Sequence, residues 1–140
     1  MSSKRDNPKI KQASKEICVK KSKIDELQYP VFCFKYLQDV SIRGSKDADF
    51  FVEYLFRLQK LSDLGWQEIR TSPKHSFGTE NIPIRNLNPT KFPSLITPEV
   101  SHLTAFRATG NNRPFLGIQE GNVFHVIFIE TKFGDIYTHS

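Results

Sequence analysis

Cysteine is scarce: Cys18 and Cys33 are the only two in 140 residues. A single pair without CxxC spacing excludes a disulfide framework and a cysteine zinc cluster, and leaves free thiols that suit a reducing cytoplasm. Long apolar runs are missing as well. No window approaches the roughly 18 consecutive apolar residues that a membrane span needs. Met1 to Lys11 is polar and basic, without the apolar stretch of a secretory signal. A cytoplasmic, membrane-free protein is therefore expected. The four histidines are scattered, with no HxxxH or HExxH arrangement, so no metal site is expected. A Gly-rich phosphate loop is also lacking, which removes support for nucleotide hydrolysis, and no cofactor is expected.

The positive charge is confined to one end. Residues 1–26 hold eight Lys/Arg against four Asp/Glu, and the remaining 114 residues hold twelve against eleven. The net charge of +5 is thus mostly a property of a basic leader, ahead of one domain over residues 27–140. Basic arms of this kind contact nucleic acid or an acidic partner, or serve only as solvated leaders. Within the leader, Ile10, Ala13 and Ile17 fall at helical spacing, enough for one or two amphipathic turns.

The rest of the chain divides by pattern. Val31-Phe32-Cys33-Phe34-Lys35-Tyr36-Leu37 has the length and content of a buried strand. Phe51, Tyr54, Leu55, Leu58 and Leu61 mark one face of an amphipathic helix, capped by Ser45 or Asp49. Ser62 or Asp63 caps a second, short helix through Trp66 and Ile69, which stops before Pro73. Residues 72–98 lose periodicity and carry five prolines, as a loop that is functional or laid over the core. Four strands follow over Ser101–Thr109, Arg113–Gln119, Asn122–Thr131 and Asp135–His139. Gly110-Asn111-Asn112, Glu120-Gly121 and Phe133-Gly134 supply hairpin turns between them. The expected fold is α+β, a four- to five-stranded antiparallel sheet with two helices packed on one face.

The stretch Phe106-Arg107-Ala108-Thr109-Gly110-Asn111-Asn112-Arg113-Pro114-Phe115-Leu116-Gly117 resembles the core hairpin of the RelE/ParE toxin superfamily. There, one strand presents an Arg, a short turn follows, and a second Arg opens the next strand. The continuation from Val123-Phe124-His125-Val126-Ile127-Phe128-Ile129 to Ile136-Tyr137-Thr138-His139 resembles the family's last apolar strand and terminal Tyr segment. This resemblance implies a RelE-like fold and a metal-independent endoribonuclease acting on RNA, in some members on the ribosome, held in check by an antitoxin protein.

Such cleavage needs one group to deprotonate the 2′-hydroxyl, another to protonate the leaving 5′-oxygen, and cations on the phosphate. Arg107 and Arg113 lie three residues either side of Gly110, where a hairpin brings them near each other as the phosphate-holding pair. Tyr137 and His139 alternate on one strand face and would exchange protons. His75, in a loop with Lys74, Ser76 and Glu80, is a further acid/base candidate with Glu80 as its partner. The alternatives are plain: solvated strand arginines, an aromatic covering the core, a terminal histidine. His125, on the face of Val123, Ile127 and Ile129, reads as a hydrogen-bonded core residue, and His102 opens the preceding strand region. The rival to a nuclease is a non-catalytic protein-binding module, either a ParE-like inhibitor or an interaction protein. An exposed apolar patch around the 51–61 helix would favour it.

Overall fold

The computed structural model describes residues 29–43, 45–74, 76–89, 91–108 and 113–138. The basic leader, Cys18, His75, His139 and the Gly110 turn lie outside these residues. Among the described residues no helix is long and apolar enough to cross a membrane.

The fold is α+β. In chain order it comprises β1 (Val31–Cys33), a 3-10 turn (Asp39–Ser41), α1 (Ala48–Leu64), α2 (Trp66–Thr71), β2 (Thr79–Pro83), a second 3-10 turn (Ile84–Asn86), β3 (His102–Arg107), β4 (Pro114–Glu120) and β5 (Val123–Ile129). The five strands form one sheet in the order β1-β5-β4-β3-β2. β3, β4 and β5 are the expected meander of antiparallel neighbours, with Gly121 at φ 64° in the turn between the last two.

The sheet is mixed rather than wholly antiparallel, because β1 runs parallel to β5. No hairpin ties β1 to its neighbour, so no turn sets its direction. The expected 31–37 strand shrinks to three residues. At its start Val31 N donates to Asn122 O, and beyond it the chain still follows β5: Gln38 N donates to Ile127 O, and Ile129 N to the Ser41 hydroxyl. Two further expectations fail. Residues 72–98 are not structureless, since β2 pairs with β3 at the sheet edge. Of the expected 135–139 strand, the described residues 135–138 supply only a single bridge, from Tyr137 to Leu87.

α1 starts at Asp47, whose carboxylate accepts from Phe50 N at 3.0 Å. The cap therefore lies between the expected Ser45 and Asp49. Its buried residues are Phe50, Tyr54, Leu58 and Leu61, while Leu55 points outward. Ser62 and Asp63 continue α1 instead of capping α2; the Ser62 hydroxyl donates to Leu58 O within the helix. Gly65, at φ 85°, makes the break between the helices.

Two cores result, one on each face of the sheet. The helices cover Phe106, Phe115, Phe124 and Val126. There Phe106 and Phe115 stack at 5.0 Å, and Phe124 meets Phe106 edge-on at 4.9 Å. Aromatic pairs in such geometries add about 0.5–1.5 kcal/mol each beyond their burial. Irregular chain covers the opposite face: Leu87, Phe92, Leu95, Ile96 and Ile136 lie over Leu103, Ala105, Leu116, Ile127 and Phe128. The 84–100 stretch is thus laid over the core, one of the two roles its length allows.

β4 and β5 lose regular register between Leu116 and Gly117, where Leu116 pairs with Phe128 but Gly117 pairs with Val126. Ile127 is the extra residue of a bulge. A Cβ on Gly117 would sit 1.8 Å from the His125 carbonyl oxygen. Gly117→Ala is therefore expected to cost at least about 2 kcal/mol, within the range of overpacked cores, measured by denaturant unfolding. Tyr54→Phe should act in the opposite sense. Its hydroxyl is buried and meets no hydrogen-bond partner among the described residues. Removing such a group should raise stability by about 1 kcal/mol.

Candidate functional site

The sequence candidates Arg107 and Tyr137 come together on the loop-covered face. Alternation along β3 places Arg107 on the side of Leu103 and Ala105. Glu80, on neighbouring β2, approaches it with Oε1 3.4 Å from the Arg107 guanidinium. The other Glu80 oxygen lies 3.4 Å from Lys74 Nζ. Just past β5, the fully buried Glu130 accepts from Ile136 N at 3.1 Å and Tyr137 N at 3.4 Å through Oε2. Asn88 fastens the same stretch, its Nδ2 donating to Gly134 O and its backbone N to Ile136 O. Two carboxyl groups, a guanidinium and a phenol therefore meet at the C-terminal segment, and Glu130 bonds its backbone.

The chemistry of this cluster is that of a closed polar knot. Arg107 is only 9% exposed, and Glu80 already answers its charge. Burial first, then the Glu80 carboxylate, push the Tyr137 hydroxyl up to about 12; Arg107 pulls the other way and Glu130 adds to the rise. A phenol held there keeps its proton near neutral pH, in the form that donates rather than accepts.

Arg113 does not join this group. It lies on the helix-covered face, with its guanidinium carbon 4.2 Å from the Phe50 ring centroid. Its Nη1 is 3.3 Å from the Asp47 carboxylate and donates to Thr131 O at 2.8 Å. The expected approach of Arg107 and Arg113 across the hairpin is thus corrected: the sheet separates them, because their positions have opposite parity across the paired strands. Arg113 instead clamps the start of α1. The hydrogen bond from Phe50 N, and then that from Arg113, hold the Asp47 carboxyl below the usual range.

Of the other expected residues, His75 and His139 lie outside the described ones. Glu80 sits on β2 with Lys74 and Arg107 as partners. His125 bonds Glu120 Oε1 through Nε2 at 3.1 Å and meets the edge of Tyr36, while its Nδ1 is buried without a partner among the described residues. His102 is exposed beside the Ser101 hydroxyl, at the rim of a shallow hollow lined by Glu99, Thr104 and Gln119.

Two features escaped the sequence reading. Glu130 does carry a signal, as an acid directly ending an apolar strand. The other is a ridge on the outer surface of α1: Val52, Leu55 and Phe56 are 52%, 64% and 67% exposed. Its signal is an excess of apolar residues in α1 over what one buried stripe accommodates. No family model, curated protein or solved structure matches the chain.

The Tyr137 environment has a consequence for alkaline stability. Its folded-state value, about 12, exceeds the unfolded value of 10.0. Folding thus favours the protonated phenol, and this stabilisation is complete below about pH 10 and lost as pH rises through about 12. Tyr54, raised by its own burial, acts in the same direction. Denaturant unfolding at stepped pH should show stability falling across that window. Tyr137→Phe should flatten the fall; an unchanged slope would remove Tyr137 as its source.

Proposed function

We propose that this protein is a non-catalytic protein-binding module working through the outer ridge of α1. The carrying observation is the exposure of Val52, Leu55 and Phe56, neighbours over little more than one helical turn. Single exposed apolar side chains are common, but a contiguous group on one rigid element is the usual mark of a docking surface. Each such side chain contributes about 1.5–3 kcal/mol when fully buried. The helix is fixed by its own core contacts, so little ordering is required on binding. The resemblance of the hairpin region to RelE/ParE toxins accords with this reading, since ParE-like members inhibit a protein target.

A second reading is a RelE-type, metal-independent endoribonuclease controlled by an antitoxin, with RNA as substrate. It draws support from Arg107 and Tyr137 sharing one face. It ranks lower because Arg107 is engaged by Glu80 and Arg113 faces the other way.

Purified full-length protein incubated with RNA in chelator, with and without ribosomes, separates the two. No new RNA ends are expected when the products are mapped. New ends that Arg107→Ala, still folded, suppresses by about 10²–10³-fold would install the nuclease reading instead.

A further inference from the structure

Resting on the protein-binding reading, we infer that the partner seated on the α1 ridge is a second copy of this chain, packed antiparallel about a two-fold axis at Phe56. The charges beside the ridge point to this occupant. Glu53 and Lys60 are exposed, and neither enters an ion pair among the described residues. With about 100° and 1.5 Å per residue, both fall on the same flank of Phe56. Glu53 lies about 4.5 Å towards the helix start and Lys60 about 6 Å towards its end.

A two-fold axis through an antiparallel helix pair keeps each flank on its own side and reverses the direction along the helix. Glu53 of one copy then faces Lys60 of the other, and the pairing occurs twice. On the opposite flank Val52 faces Gln59, and Phe56 meets its counterpart at the axis. A parallel arrangement about a two-fold axis along the helices would instead bring identical charges to the same level. Asp49 and Asp63 sit about 10 Å from the axis on either side, where like charges meet. Helices crossing at about −50° diverge there while staying in contact at Phe56. One helix a side falls near or below the roughly 1,200 Å² of small stable interfaces. Association is therefore expected at micromolar rather than nanomolar concentration.

Sedimentation equilibrium of the full-length protein from about 5 to about 500 µM tests this range. The average mass should rise from one chain towards two. Phe56→Glu, a change at an exposed position that leaves the circular dichroism spectrum unaltered, should hold the protein at one chain. Glu53→Lys alone and Lys60→Glu alone should each weaken self-association by about tenfold. Combining both changes in one chain, or mixing the two single variants, should restore it. A wild type that stays monomeric throughout overturns the proposal, as does a double variant that fails to regain association. Neither result depends on whether RNA is cut, so self-pairing and the binding-module reading fail separately.

Discussion

The close approach of β4 and β5 at Gly117 is the constraint on which the rest of the molecule depends. Only a residue without a side chain lets the His125 carbonyl come so near, and the register shift sits beside that contact. Past the shift, alternation along β5 is reversed. Phe124 and Val126 face the helices, Ile127 and Phe128 both face the loop, and Ile129 returns to the helices. Glu130 consequently emerges beneath the C-terminal segment instead of beneath α1. A single inserted residue thus decides on which side of the sheet a carboxyl group is buried.

That placement explains why the loop-covered face is closed. A sheet apolar on both sides needs two covers, and the described residues supply helices for only one. Irregular backbone covers the other at the cost of polar groups that must find partners. Glu130 meets two of them, Asn88 meets others, and the Tyr137 bridge to Leu87 adds another contact. Arg107 and Glu80 lie at the margin of this same network. Glu130 and Asn88 thereby hold the segment that covers the core, with the Arg107–Glu80 pair beside them. Among the described residues nothing covers the outside of α1, where Val52, Leu55 and Phe56 are exposed.

Arg113 illustrates the same economy on the helix side. Its side chain packs over Phe50, approaches the carboxylate that caps α1, and donates to Thr131 O beyond β5. One residue therefore ties the start of the helix to the end of β5. The two arginines flanking the β3–β4 turn serve different cores, although they are near neighbours along the sequence.

What the sequence determined by itself was local. The period of α1, the two-sided apolar runs of β3 to β5 and the Glu120-Gly121 turn all act over a few residues, so helix and meander were legible without coordinates. Tertiary structure decided whatever depends on pairing between distant segments. It set β1 parallel to β5 and drew Thr79–Pro83 out of a proline-rich stretch onto the sheet edge. It also turned Leu55 outward and put Arg107 and Arg113 on opposite faces. The physical reason is that a strand's face and direction follow from its partner's register, and one bulge reverses the face without altering composition or periodicity enough to be read beforehand.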